Sequence, residues 1–303
     1  MKKTLVVGGS GFIGSALQRL VLDRKQIESF VFSFNQNREK LDARLENLKM
    51  DLMEKVSHKV NEYPMAIYVA GNANHGIAER DPLLDLDLNV RAFLNFTREY
   101  RGSLVLLSSQ AVYYGLKGEV PEEADHVSTI PYGISKLAAE TYAKYLHQTG
   151  DLPKLWILRL AYAFGPGERE NRLIPRCATA VSSGEEITVL GDGKSYMNPL
   201  PVDFVAEILL KAADNLNDAE EGFVQITNVN SSERFTVKNL VTRLSQIAHF
   251  DFKVSVLGEE WPVEFWGSIE NLSYHMKNWN MTFPDSWASL KKYFLELVGR
   301  QEE

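Results

Sequence analysis

The sequence contains almost no cysteine, since Cys177 is the only one among its 303 residues. A single thiol excludes an internal disulfide, so the sequence fits a reducing compartment. No histidine or aspartate pattern of a thiol nucleophile accompanies Cys177, and we interpret it as a passive side chain. The sequence also predicts no metal site.

Long apolar runs and an excess of positive charge are missing as well. No stretch approaches the roughly 18 apolar residues that a membrane-spanning helix needs. The apolar run behind the basic start covers only residues 5–7, which is too short for a signal peptide. A net charge of −7 argues against binding to nucleic acid or to an anionic membrane surface. We therefore expect a cytoplasmic protein without nucleic-acid or membrane partners.

The first half of the chain has a regular alternation of strand and helix patterns. Predicted strands cover residues 4–7, 29–34, 48–52, 66–70, 103–107 and 155–160. Predicted helices cover residues 14–23, 85–100 and 131–147, and another starts near Val202. Strands that alternate with helices imply crossover connections, so we predict an α/β fold with a doubly wound parallel sheet. After residue 165 the pattern loosens into shorter elements.

The first predicted strand runs directly into a glycine loop with the spacing G-x-x-G-x-x-G. Glycine is needed where the chain turns sharply and where backbone approaches a pyrophosphate. The following helix offers free N–H groups to the phosphates. This strand–loop–helix context favours a Rossmann-type dinucleotide site over a merely structural turn. The predicted contacts are Gly8, Gly11, Phe12, Ile13 and Gly14.

Residues at the ends of the next strands predict further cofactor contacts. Residues 34–38 contain no carboxylate for the ribose hydroxyls of NAD, whereas Arg38 can accommodate the 2′-phosphate of NADP. We predict NAD or NADP with a preference for NADP; the alternative is that Arg38 is a solvated surface residue. Asp51 is predicted to contact the adenine, unless it is simply an exposed loop aspartate. The remaining predicted contacts at these strand ends are Asn35, Leu52, Ala70 and Gly71, and the family resemblance given below adds Asn89 and Lys136.

A tyrosine and a lysine with helical spacing predict the chemistry. Hydride transfer at a carbinol carbon requires proton transfer at its oxygen, which a tyrosine can perform if its pKa falls from about 10. A lysine four residues along a helix shares its face and favours the phenolate. The sequence has two such pairs, Tyr113 with Lys117 and Tyr132 with Lys136. A glycine interrupts the first pair, whereas the second opens a predicted helix. We therefore choose Tyr132 and Lys136; the alternative is a Tyr132 that packs under a loop.

A hydroxyl that holds the substrate oxygen is expected at the carboxyl end of the preceding strand, where ligands gather in parallel sheets. Ser108 and Ser109 both lie there, and their spacing does not separate them.

These segments together resemble the extended short-chain dehydrogenases/reductases, the NAD-dependent epimerase/dehydratase group to which UDP-glucose 4-epimerases belong. The resemblance runs in order through nearly the whole chain. It is carried by the glycine loop at Gly8, Asp81-Pro82, Asn89-Val90, S-S-Q-A-V-Y from Ser108, P-Y-G-I-S-K from Pro131, Leu158-Arg159, G-P-G from Gly165, L-G-D-G from Leu190, Val202-Asp203 and the segment around Trp279.

The resemblance implies a role for each site residue. It makes Ser109 the catalytic hydroxyl, Tyr132 the acid/base, and Lys136 the residue that binds the nicotinamide ribose and lowers the pKa of the tyrosine. Asn89 matches an asparagine that helps to shape the site in this family; the alternative is an ordinary polar residue inside a helix.

Three departures from the family pattern concern the substrate. Tyr162 stands where the family often has asparagine, and residues 197–199 replace an R-D-F whose arginine grips a phosphate. The V-Y-G motif is expanded by one residue at 112–115. The first two departures remove groups suited to a pyrophosphate, so a nucleoside-diphosphate sugar is implied less firmly than the reaction. Four arginines could form an alternative anion site: Arg159, Arg169, Arg172 and Arg176. The alternative is that they are plain surface residues.

The implied activity is hydride transfer at a carbinol or ketone carbon of a sugar or nucleotide sugar. The net reaction is epimerisation or, alternatively, NADPH-dependent reduction of a keto-sugar. Gln110 stands where the dehydratases carry an acid, which disfavours dehydration. A non-catalytic NAD(P)-binding sensor is the alternative from another class.

The looser pattern after residue 165 predicts how the chain is organised, and the resemblance implies how it assembles. We expect a Rossmann domain over residues 1–165, with returns near 196–228, interleaved with a smaller substrate-binding lobe over 166–303. A homodimer through helices 85–100 and 131–147 is expected.

Overall fold

The computed structural model describes residues 3–125, 127–190, 193–258 and 262–300. The strands, in chain order, are β1 Thr4–Val7, β2 Phe30–Phe34, β3 Glu46–Lys49, β4 Met65–Tyr68, β5 Ser103–Ser109, β6 Gly118–Val120, β7 Leu155–Leu160, β8 Tyr162–Phe164, β9 Ile187–Leu190, β10 Tyr196–Met197, β11 Pro199–Pro201, β12 Val224–Val229, β13 Phe235–Thr236, β14 Val254–Leu257 and β15 Phe265–Gly267. The α-helices are α1 Phe12–Asp23, α2 His75–Arg80, α3 Pro82–Leu86, α4 Ala92–Glu99, α5 Pro131–Gln148, α6 Leu173–Ser183, α7 Val202–Asp218, α8 Val237–Ala248, α9 Glu270–Asn278 and α10 Ser286–Leu297.

The described residues form a central parallel sheet of seven strands in the order β12-β7-β5-β4-β1-β2-β3. Successive side chains of a strand point to opposite faces. Leu5 and Val7 therefore pack on one face with α4 and α5, while Val6 packs on the other with α1 and α7. Burial on both faces explains why the inner strands β1, β4, β5 and β7 are mainly apolar runs. The prediction of a doubly wound parallel sheet is confirmed.

A separate apolar cluster lies in the C-terminal half, where α6, α8 and α10 pack together with β9 and β13. Cys177 is fully buried in this cluster, and burial raises the pKa of its thiol to about 12. By contrast, α7 packs on α1 and β12 pairs with β7, so this part of the chain returns to the central sheet. The division into domains at residue 165 stays a prediction. Residues 191–192 of the L-G-D-G motif lie outside the described residues.

Three predicted elements differ from the structure. The helix predicted over 85–100 is divided into α3, a π-helical turn at Asp87–Arg91, and α4. The third strand is Glu46–Lys49, so Asp51 and Leu52 follow it in a loop. Helix α1 begins two residues earlier than predicted, which places Phe12 and Ile13 in its first turn. No helix among residues 3–125, 127–190, 193–258 and 262–300 is long and apolar enough to cross a membrane.

Candidate active site

The glycine loop between β1 and α1 is tightly built. Gly8 has a φ of +94°, and a Cβ placed on it would lie 2.8 Å from the backbone nitrogen of Ala70. A Cβ on Gly14 would lie 2.4 Å from the carbonyl oxygen of Gly8. Helix α1 starts after Gly11 without a side-chain cap and without an acidic residue in its first turn. Its first N–H groups are thus free to bind an anion, and the loop fits the pyrophosphate of a dinucleotide.

The residues predicted to contact the ribose and adenine follow β2 and β3, at the same edge of the sheet as the glycine loop. Asn35 and Arg38 are exposed. The Arg38 guanidinium donates to the carbonyl oxygen of Leu41 and lies 5.9 Å from the ring centre of Phe34. The carboxylate of Asp51 accepts a hydrogen bond from the backbone of its own loop. Local contacts therefore hold exposed Arg38 and half-buried Asp51 in their positions.

Gly71, which follows β4, lies against Asn89 of the π-helical turn. Gly71 has a φ of +131°, and a Cβ placed on it would lie 2.5 Å from Asn89 Oδ1. The amide of Asn89 donates to Asp85 Oδ1 at 2.9 Å and to Ser135 Oγ at 3.0 Å. Asp85 Oδ1 also accepts from Asn72 Nδ2 at 2.7 Å. Buried Asn89 therefore joins the π-helical turn to α5 and is more than a polar residue inside a helix.

The predicted trio converges where β5 ends and α5 begins. Ser109, the last residue of β5, lies beside Tyr132 in the first turn of α5, and its hydroxyl lowers the pKa of that phenol. One turn later, Lys136 Nζ donates to the carbonyl oxygen of Leu107 at 2.9 Å. Ser108 faces the other way, and its Oγ donates to a carboxylate of α5. The structure therefore places Ser109, and not Ser108, beside Tyr132.

Burial controls the ionisation of the trio. Burial raises the pKa of Tyr132 to about 12, while the hydrogen bond with Ser109, followed by the charges of Arg172 and Arg169, opposes the rise. Burial also lowers the pKa of Lys136 to about 8, against the attraction of nearby carboxylates. In the chain alone the tyrosine is therefore a neutral phenol, and the ammonium lies close to its titration range.

His75 is a residue beside Tyr132 that the sequence analysis did not identify. Its ring centre lies 4.7 Å from that of Tyr132 and 5.9 Å from that of Tyr114. The side chain of His75 is exposed overall, but desolvation of its ring by the neighbouring groups, followed by the charge of Arg172, lowers its pKa to about 4, so the imidazole is neutral at neutral pH. No motif surrounds His75. The one available signal was its place in the segment that follows β4, on the edge of the sheet where ligands bind.

The proposed group of four arginines does not form one anion site. Arg159 is buried and binds a carboxylate of α5, which corrects the expectation that it is available to substrate. Arg172 pairs with Glu168 at 3.3 Å and lies 3.9 Å from the ring centre of Tyr162. Arg169 donates to a backbone carbonyl at 2.7 Å, and its charge and that of Arg172 act on Tyr132. Arg176 lies on α6 and acts on the buried thiol.

The other unusual positions have structural partners. The first tyrosine–lysine pair is not helical: Tyr113 is buried, and Lys117 forms an exposed ion pair with Glu264. Gln110 is buried and donates to Asn230 Oδ1, so it faces the chain rather than a substrate. No cluster of ligands suited to a metal ion occurs in the described ranges.

A doubly wound sheet with this glycine loop and this trio defines an NAD(P)-dependent enzyme of Rossmann type. The profile of the NAD dependent epimerase/dehydratase family matches residues 4–228, and the chain belongs to this family. The predicted resemblance is thereby confirmed.

Known relatives differ in the reaction for which they are named. The dTDP-4-dehydro-6-deoxyglucose reductase of Escherichia coli is 24% identical over 257 residues, covering 78% of this chain and 79% of that protein. The dTDP-glucose 4,6-dehydratase of Haemophilus influenzae is 26% identical over 231 residues, covering 67% and 68%. The structure of UDP-glucuronic acid 4-epimerase from Bacillus cereus, in complex with UDP-glucuronic acid and NAD, superposes with a TM-score of 0.83 at 18% identity, covering 98% and 99%. At this level of identity, the similarity to the Bacillus cereus structure shows the fold alone.

Proposed function

We propose that the chain transfers hydride at a carbinol or ketone carbon of a sugar or nucleotide sugar. The observation that carries this proposal is the placement of Ser109 at the end of β5 beside Tyr132 at the start of α5, with Lys136 one turn along α5. Tyr132 moves the proton, Ser109 holds the substrate oxygen, and Lys136 binds the nicotinamide ribose and lowers the pKa of Tyr132. The bound nicotinamide supplies or accepts the hydride.

The proposed cofactor is NADP in preference to NAD. Residues 34–38 carry no carboxylate, and exposed Arg38 lies just beyond β2. The pyrophosphate is held by Gly8, Gly11 and the first turn of α1, and Asp51 contacts the adenine. Equilibrium binding of NADPH and NADH tests this preference; tighter binding of NADH contradicts it.

The proposed net reaction is epimerisation or the reduction of a keto-sugar, and not dehydration. Support comes from Gln110. It stands at the position where the dehydratases that this chain resembles carry an acid, and it is buried with a hydrogen bond to Asn230. The charges of Arg169 and Arg172 act on Tyr132, and we propose these two groups to hold an anionic part of the substrate.

Turnover assays separate these reactions. The purified chain is mixed with NADPH or NAD and a panel of keto-sugars and of UDP- and dTDP-sugars, and both the NAD(P)H absorbance and the product are followed. Net loss of absorbance identifies a reductase, whereas an altered sugar without net change identifies an epimerase. Normal cofactor binding without turnover on the whole panel contradicts the proposal and favours a sensor.

We also propose a homodimer through the α3 and α5 region. Helix α5 exposes Ile134, Tyr142 and Tyr145, and the short α3, which packs against α5, exposes Leu83 and Leu84. Apolar side chains grouped on neighbouring helices are typical of an interface between subunits.

A further inference from the structure

Glu140 is a fully buried carboxylate one helical turn beyond Lys136. Its Oε1 accepts a hydrogen bond from Ser108 Oγ at 2.5 Å. Arg159 donates to both of its oxygens, from Nε at 3.1 and 3.2 Å and from Nη2 at 2.7 Å. Ser108 precedes catalytic Ser109 on β5, and Arg159 lies on neighbouring β7. Glu140 therefore links α5 through hydrogen bonds to β5 and β7, the two strands beneath the candidate active site.

The guanidinium nitrogen of Arg159 that does not bind Glu140 is hydrogen-bonded as well. Arg159 Nη1 donates to the Tyr113 hydroxyl at 2.7 Å and to the Glu122 carbonyl oxygen at 3.0 Å. The Tyr113 hydroxyl donates in turn to Asn228 Oδ1 at 2.8 Å. A buried polar network is stable when each of its members is hydrogen-bonded. The position of Glu140 is thus fixed from three strands, β5, β7 and β12.

The Lys136 ammonium depends on nearby carboxylates because it is buried. Its Nζ donates to the carbonyl oxygen of Leu107. Two carboxylates favour its charged form, first Glu140 on α5 and then Asp85 on α3. On the side of β7, Arg159 faces Glu140. On α5 itself, Tyr132 lies one turn before Lys136, and the helix's further titratable residues, Tyr142, Lys144, Tyr145 and His147, follow Glu140 towards the C-terminus.

We propose that Glu140 is a positioning residue for the Ser109–Tyr132–Lys136 trio. It holds α5 in register against β5, and its negative charge keeps the Lys136 ammonium protonated. Glu140 touches neither substrate nor cofactor and acts through Lys136 and Ser108. The catalytic part of this inference rests on the proposed function, whereas the electrostatic part concerns the chain alone.

The electrostatic part is tested in the protein without cofactor. Lysines labelled with ¹³C at Cε are titrated by NMR, and the spectrum of Lys136→Met assigns the Lys136 signal. Removing the negative charge withdraws stabilisation from the ammonium, so Glu140→Gln should lower the pKa of Lys136 by about 1 unit. Glu140→Asp keeps the charge and should restore most of the original value. An unchanged Lys136 titration in folded Glu140→Gln overturns the inference.

The double variant Glu140→Gln with Arg159→Met covers the case in which Glu140→Gln alone does not fold. It removes the carboxylate charge without leaving an unpaired guanidinium in the core. The double variant should still show a lowered Lys136 titration, by less than Glu140→Gln because the opposing charge of Arg159 is removed as well, and an unchanged titration there also overturns the inference.

The catalytic part is tested by the pH profile of kcat/KM. The high-pH limb should move to lower pH by about 1 unit in Glu140→Gln and return in Glu140→Asp. Equal losses at every pH in both variants indicate a merely structural residue and overturn the positioning role. If the Lys136 titration moves but even the wild-type chain turns over no sugar, the proposed function fails and the electrostatic inference stands.

Discussion

Gly14 is the residue at which α1 comes closest to the preceding turn. Because a Cβ there would lie 2.4 Å from the Gly8 carbonyl oxygen, Gly14→Ala must displace either the loop or the helix. We expect a loss of about 1–3 kcal/mol in the free energy of unfolding and weaker NADPH binding. Urea denaturation and a binding titration measure both effects. Gly258→Ala is the control, since no described atom lies within 4 Å of its added Cβ. Equal behaviour of the two variants would contradict the tight loop.

His75 provides a pH prediction at the same scale. Its pKa in the folded chain is about 4, below the ordinary 6.5, so protonation favours the unfolded chain. The stability that depends on neutral His75 is complete above pH 6.5 and is lost as the pH falls towards 4. Urea unfolding should therefore show a smaller decline over this range for His75→Gln than for the wild type. Parallel declines of the two proteins would contradict the lowered pKa of His75.

The residues of the trio were predictable to different degrees. Tyr132 and Lys136 follow from local rules, because a proline starts the helix and a four-residue spacing shares one face. The choice between Ser108 and Ser109 needed the resemblance, since it depends on where α5 lies against β5. The prediction for Arg159 was wrong because its partner, Glu140, lies on another element and no local pattern joins them.

At the scale of elements, the ion pair of Arg159 and Glu140 joins β7 to α5. Arg159→Met leaves a buried carboxylate without its cation and should cost about 3–5 kcal/mol of unfolding free energy. Adding Glu140→Leu removes that charge, so the double variant should recover part of the loss. Urea denaturation of the wild type and of both variants measures this. A double variant that is less stable than Arg159→Met would contradict the account of the pair.

Strands β1, β2, β4, β5 and β7 were predictable because each is a short, mainly apolar run buried in the sheet. The seventh strand, β12, was not predicted as a strand, since most of its first half is polar or half-buried. The interruption of the helix predicted over 85–100 also escaped prediction. Its π-helical turn accompanies the bonds of Asn89 to Asp85 and Ser135, and the latter partner is 46 residues away. Contacts this distant leave no periodic signal.

At the scale of the whole molecule, the exposed apolar side chains of α5 predict a dimer. Light scattering after gel filtration should give twice the mass of one chain. Combining Ile134→Glu with Tyr145→Glu should give monomers, because it buries charge in the proposed interface. Tyr274→Glu changes an equally exposed tyrosine on α9 and should stay dimeric. A wild-type monomer at assay concentration would contradict the proposal.

The central claim is that Tyr132 moves the proton during hydride transfer. Single-turnover and steady-state rates of Tyr132→Phe, with the substrate found in the turnover assays, test it most directly. Tyr274→Phe serves as the control and NADPH binding as the measure of an intact fold. The account predicts a loss of about 10²–10⁴-fold in kcat with NADPH binding retained. A Tyr132→Phe variant with full activity would contradict it.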